Sequence, residues 1–125
     1  MIHVQNLQKS FFDGRIPVLR GVDLDIPEKS FVALLGPSGS GKSTLMHLIG
    51  GLDKADAGIL EVAGVALHTA RPEQMRKFRA EKIGFIFQAS NLLPTLTAHE
   101  NVEVAGSDAD FWLKAVGLGE RSRHF

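Results

Sequence analysis

The chemistry most clearly written into the sequence lies in residues 36–44. Gly36, Pro37, Ser38, Gly39, Ser40, Gly41, Lys42, Ser43 and Thr44 complete a G-x-x-x-x-G-K-[ST] pattern. The oxygens of a polyphosphate need to be surrounded by backbone N–H groups, and a glycine-rich turn curls tightly enough to present them. Gly36, Gly39 and Gly41 supply that freedom. A helix beginning where the turn ends adds its unpaired amides and the positive end of its dipole. Lys42 brings a point charge toward the β- and γ-phosphates, the Ser43 hydroxyl is a ligand for Mg²⁺, and Thr44 offers a hydroxyl toward the α-phosphate. The pattern implies a nucleotide phosphate site.

Such a loop has to be held between a strand and a helix. The run before it, FVALL at residues 31–35, is apolar without alternation, as expected of a strand buried on both faces of a mostly parallel sheet. After it, Leu45, Leu48 and Ile49 form an apolar stripe at helical spacing, with Gly50 and Gly51 as a stop. Upstream, Ile2 and Val4, then Val22, Leu24 and Ile26, alternate with polar neighbours, which predicts half-buried antiparallel strands. Asp13-Gly14 is a turn signal, and Pro27 ends the second run. Downstream, GILEVAG reads as a strand with a turn at Gly64, and residues 72–81 read as a surface helix opened by Pro72. IGFIFQ, residues 83–88, reads as a second apolar strand. Thr97 and Glu100 are spaced as a capping box for a helix at TAHENV, and Ser107 with Asp110 offers a weaker cap for a helix closed by Gly117. Strands punctuated by helices predict an α/β core with an antiparallel flank.

Composition narrows the function classes. With 125 residues, 44% hydrophobic and 22% charged, the chain has the size and balance of one modest soluble domain. Fourteen basic residues cancel fourteen acidic ones, so no global field recruits nucleic acid. The absence of cysteine excludes thiolate metal sites and nucleophiles. The five histidines share no ligand spacing and read as surface or packing residues. Arg71, Arg76, Lys77, Arg79 and Lys82 are interleaved with Glu73 and Glu81, which reads as a solvated helix face.

GPSGSGKSTLMHLIGGLD and IGFIFQASNLLPTLTAHENV resemble the ATP-binding subunits of ABC transporters, and within them the branch serving lipoprotein release and macrolide or peptide export. LQKSF, VLRGVDLDI and GLDKADAGILEVAG fit the same branch, with Ala55 where a proline is usual. The resemblance implies an α/β fold, a P-loop NTPase core of ABC type with an N-terminal antiparallel β flank, and ATP with Mg²⁺ as ligands. It also implies that Gln88 is the Q-loop glutamine, reaching Mg²⁺ and the attacking water. Phe11 falls where the family places an aromatic that stacks on adenine, with Phe12 as the rival. Residues 91–100 would touch a membrane partner beside the Q-loop. The implied partners are a membrane-spanning permease and a second ABC ATPase subunit, forming a homodimer in the parent protein. That setting places the protein in the cytoplasm, on the inner face of the inner membrane.

The sequence departs from the family pattern in two places. No apolar strand ends in Asp-Glu and no SGGQ occurs, so Walker B, signature motif and switch histidine are not found. AVGLGERSRHF resembles the stretch directly preceding the signature, and GSDADFWLKA stands in place of a longer helical arm. Residues 1–125 are thus expected to be a partial nucleotide-binding domain, truncated before the signature motif. The alternative reading is a nucleotide-binding but catalytically incompetent fragment or gene remnant. Apolar sheet surface is expected to be left exposed, with marginal stability in isolation.

Overall fold

The computed structural model describes all 125 residues and divides them into two compact units, Met1–Phe85 and Ile86–Phe125. In the first unit, β1 (Ile2–Phe11) lies between β2 (Ile16–Ile26) and β3 (Ala57–Val62), and β3 pairs with the short β4 (Val65–Ala66). Every pairing is antiparallel. The turn signals act as expected. Phe12, Asp13 and Gly14 all take positive φ between β1 and β2, and Ala63-Gly64, at φ 49° and 77°, makes the two-residue β3–β4 hairpin.

Alternation alone does not explain β1. Val4 and Leu7 are both fully buried although three residues apart, an odd spacing that would place them on opposite faces of a regular strand. A bulge resolves the conflict: the register with both neighbours slips between Val4 and Gln8, and Asn6 takes φ 48°. The Asn6 N–H is drawn out to Asp23 Oδ1 at 2.7 Å. Both flanking strands meet the bulge with glycine. A Cβ on Gly21 would lie 2.8 Å from Asn6 Oδ1, and one on Gly58 would collide with the backbone of Asn6 and Leu7.

One face of this sheet carries the core. Val4, Leu7, Leu19, Leu60 and Val62 pack with Leu45 and Leu48 of α1 (Lys42–Ile49) and with Met75 and Phe78 of α2 (Pro72–Lys82). Fully burying a side chain such as Leu48 or Leu60 contributes about 1.5–3 kcal/mol. α1 stops where expected, with Gly51 left-handed at φ 67° and its N–H on Leu48 O at 3.0 Å. α2 opens on Pro72, and its charged face is solvated as expected; Arg76 pairs with Glu73 at 2.6 Å in solvent. Arg79 is the exception, turned inward to donate to Gly51 O at 2.8 Å.

The two expected parallel-core strands are not formed. Residues 31–35 and 83–88 belong to no strand, and the chain has no parallel pairing. A parallel strand needs neighbours along its edges and apolar cover on both faces. Phe31 and Leu35 are instead 99% and 87% exposed, so apolar surface is open at these positions, but outside any sheet rather than as the sheet surface expected.

The second unit contains α3 (Ala98–Ala105), α4 (Ala109–Ala115) and a 3-10 turn at Gly119–Arg121. The Thr97–Glu100 capping box forms in full: Thr97 N–H and Oγ donate to Glu100 Oε2 at 2.8 Å each, and Glu100 N–H donates to Thr97 Oγ at 3.3 Å. The Ser107–Asp110 cap does not form. Asp108 is the N-cap of α4, in the left-handed region at φ 63°, with no capping side-chain bond, and Ser107 Oγ donates to Asp108 Oδ2 instead. Gly117, at φ 77°, closes α4 as expected.

Candidate functional site

The phosphate-loop pattern folds as a tight turn leading into α1. Gly41 is the N-cap, left-handed at φ 90°, and the first intrahelical bond runs from Leu45 N–H to Gly41 O at 2.9 Å. The amides of Lys42, Ser43 and Thr44 precede that bond and have no acceptor within the helix. The first turn carries no acidic residue, so nothing offsets the positive end of the helix dipole. Gly39 is also left-handed, at φ 79°, with open space where a side chain would stand. Gly36, at φ 155°, takes a backbone conformation that side chains rarely adopt, and a Cβ there would also press on Ser40 Oγ at 3.0 Å. Across the loop, Ser40 N–H donates to Pro37 O at 3.3 Å.

Lys42 lies along the inside of its own loop. Its Nζ donates to Gly36 O at 2.8 Å, to Pro37 O at 2.6 Å and to Ser40 Oγ at 3.3 Å. The ammonium is held by neutral oxygens and pairs with no carboxylate, which leaves its charge uncompensated. Ser38, Gly39, Gly41, Lys42, Ser43 and Thr44 line an open cleft of about 550 Å³ together with Val18. That lining offers amides, hydroxyls and one ammonium but no carboxylate, a donor set suited to a polyanion and unsuited to a bare cation.

Val18 escaped the sequence reading. It reaches the site because Gly41 packs against β2: a Cβ on Gly41 would lie 2.9 Å from Leu19 Cδ2 and 3.2 Å from Val18 Cγ1. The available signal was the break in alternation at residues 18–19, where adjacent apolar residues serve the cleft and the core.

Phe11 ends β1 opposite Ile16 and is not among the residues lining the cleft. It is 38% exposed, with Lys9 Nζ over its ring at 5.2 Å from the centroid, whereas Phe12 is 73% exposed at φ 55°. Of the two aromatics, Phe11 is the one held in place. Gln88 belongs to the second unit, exposed at a bend, so the structure does not bring it together with the phosphate loop in one compact unit.

The segment after Gln88 is shaped by Asn101, another residue that sequence reading missed. Its side chain accepts from Leu93 N–H at 2.8 Å and donates to the carbonyls of Leu93, Leu96 and Thr97 at 3.0–3.1 Å. Leu92 and Leu93 remain exposed on this braced loop. The histidines have local roles: His3 bonds Asp25, His68 bonds the Leu60 backbone, and His99 faces Glu103 and Asp110. No group of residues is arranged to hold a metal ion without further ligands, and no helix is long and apolar enough to cross a membrane.

Comparison with known proteins follows the same lines. The family described as ABC transporter matches residues 19–125. The chain is 42% identical over 137 residues to the macrolide export ATP-binding/permease protein MacB of Marinobacter nauticus, covering 99% of this chain and 21% of that protein. It is 47% identical over 133 residues to the lipoprotein-releasing system ATP-binding protein LolD of Legionella pneumophila strain Paris, covering 96% of this chain and 59% of that protein. The chain therefore spans between about one fifth and three fifths of the length of these relatives. Among solved structures, the dimeric post-hydrolysis state of the ATP-binding cassette MJ0796 bound to ADP and Pi matches with a TM-score of 0.85 at 35% identity, covering 99% of this chain and 61% of that one. An α/β fold of ABC-cassette type carrying an antiparallel flank is what this chain shares with those cassettes, of which it covers 61% and 46%. The chain belongs to the ABC transporter family of ATP-binding cassettes.

Proposed function

We propose that this chain is the nucleotide-gripping part of an ABC transporter ATPase subunit, coupling MgATP binding and hydrolysis to export or lipoprotein release through a membrane partner. The observation that carries the reading is the turn at residues 36–44. It feeds a glycine-capped helix, free amides, three hydroxyls (Ser38, Ser43 and Thr44) and the uncompensated Lys42 ammonium into one cleft. In this reading Gly36, Pro37, Ser38, Gly39, Ser40, Gly41, Lys42, Ser43 and Thr44 hold the phosphates. Ser43 and Gln88 ligate Mg²⁺, Gln88 senses the γ-phosphate, and Phe11 stacks on adenine. The partners are a permease, which residues 91–100 would meet, and a second ATPase subunit. The protein then works on the cytoplasmic face of the inner membrane.

A second reading concerns the 125 residues taken alone: they bind nucleotide without turning it over. It is favoured by the lining of the cleft, which holds neither a carboxylate nor an imidazole to activate water. Calorimetric titration of the purified chain with MgATP, together with a phosphate-release assay, tests both readings. Binding is expected, with Lys42→Ala weakening it at least about tenfold through loss of a charge-assisted contact. No binding by the unaltered chain overturns the nucleotide reading, and steady-state release of phosphate, abolished by Lys42→Ala, overturns the second.

A further inference from the structure

The end of β1 carries a polar cluster that the phosphate site does not use. Lys9 is a long, charged side chain only 11% exposed, and its Nζ reaches Asp53 Oδ1 at 3.0 Å, Lys54 O at 2.7 Å and Asp56 Oδ1 at 3.8 Å. The next residue is tied to the same loop: Ser10 N–H and Oγ both donate to Asp56 Oδ2 at 2.6 Å. Asp56 N–H returns a bond to Gln8 O at 2.9 Å. Residues 8, 9 and 10 are thus pinned in succession to the connection between α1 and β3. The residue after them is Phe11.

The pinned ammonium also lies over the Phe11 ring, 5.2 Å from its centroid. A cation at that distance is attracted to the ring quadrupole and occupies one π-face. Phe11 as a residue keeps 38% of its surface open.

We propose that Lys9 is a positioning residue for nucleotide binding: anchored by Asp53, Lys54 O and Asp56, it covers one face of Phe11 and presents the other to the base. The inference rests on Phe11 being the base-stacking residue. Lys9 is not among the residues lining the phosphate cleft, so its effect is confined to ligands that carry a base. A role in general stability would affect every ligand of the cleft equally.

The test titrates the 125-residue chain and its variants with MgATP and with magnesium tripolyphosphate, which has the phosphates but no base. Lys9→Met, keeping the stem and losing the charge, is expected to weaken MgATP roughly threefold to tenfold. Tripolyphosphate binding should stay unchanged, and Lys9→Arg should retain MgATP affinity. Phe11→Ala is expected to weaken MgATP alone, by at least as much. If Phe11→Ala weakens MgATP and Lys9→Met does not, the positioning role is overturned with the stacking role intact. Equal weakening of both ligands by Lys9→Met also overturns it. An unchanged MgATP affinity in Phe11→Ala removes the stacking role, and the inference falls with it. Should Lys9→Met fail to fold, Asp53→Asn, which keeps the ammonium and weakens its anchor, carries the test with the same expected selectivity.

Discussion

The ring of Phe85 is seated directly on Gly50, so that a Cβ at position 50 would overlap the ring. Gly50 has an ordinary helical backbone, φ −78°, and its N–H donates to Met46 O at 2.9 Å. Glycine is required there for space, not for conformational freedom. The contact fixes the end of the helix that begins at the phosphate loop. It also anchors one residue of 83–88, a segment that belongs to no strand.

Gly50→Ala should therefore destabilise the chain by about 1–3 kcal/mol, the usual range for overpacking. Gly84→Ala, one residue from the same ring but with nothing within 4 Å of its would-be Cβ, should change stability by less than about 0.5 kcal/mol. Urea midpoints of the two variants test the pair. Equal midpoints would mean that Phe85 does not occupy this position in solution.

The phosphate loop allows a similar separation of causes. Gly39 and Gly41 are both left-handed, so alanine at either should cost about 1–2 kcal/mol in backbone strain. Only at Gly41 does the new methyl also strike Leu19 and Val18, while Gly39 faces open space. Gly41→Ala should lower the melting temperature more than Gly39→Ala and weaken MgATP binding as well, because it pushes α1 away from β2. Melting curves that rank the two variants in the opposite order would exclude this packing account.

Phe31, Leu35 and Ile86 stand in solvent at 87% exposure or more. Apolar surface of this kind drives association and binds hydrophobic dyes. Replacing Leu35 and Ile86 together with lysine should reduce both effects and leave the melting temperature almost unchanged, because neither side chain contributes to the buried core. Light scattering and dye fluorescence across a concentration series check the outcome. A steep fall in melting temperature would show that these residues are buried in solution.

The legible parts of the molecule were those whose causes are local. The Thr97–Glu100 box, the Asp13-Gly14 turn, the Gly51 stop and the phosphate-loop pattern depend on residues within a few positions of one another, and each formed as expected. FVALL and IGFIFQ failed as strand predictions because an apolar run specifies burial but not a partner, and pairing depends on the rest of the sheet. The bulge at Asn6 was hidden for a related reason: it is stabilised by Asp23, Gly21 and Gly58, which are distant in sequence. Around the cleft, the turn that holds Lys42 was readable from its motif, whereas the approach of Val18 was not, since it follows from how Gly41 packs on β2.

The bond between Ser10 and Asp56 gives a prediction in pH. Hydrogen bonds from the Ser10 hydroxyl, then from its amide, hold the Asp56 carboxyl below the usual aspartate range, with Lys9 adding a smaller pull in the same direction. A depressed pKa in the fold means that the unfolded chain takes up the proton first. The stabilisation is complete above the ordinary aspartate value, about 3.9, and disappears as pH falls through the lower folded value. Ser10→Ala removes the largest cause, so Asp56 should titrate nearer its ordinary value and acid unfolding should begin at higher pH. His3 acts at the other end: its bond to Asp25 raises its pKa, so its contribution is complete below about 6.5 and is lost as pH rises through the raised value. Carboxyl-carbon NMR titration of Asp56, with stability followed from pH 2 to 8, reads both effects. An Asp56 that titrates at the ordinary value in the unaltered chain would show that the Ser10 bonds do not persist in solution.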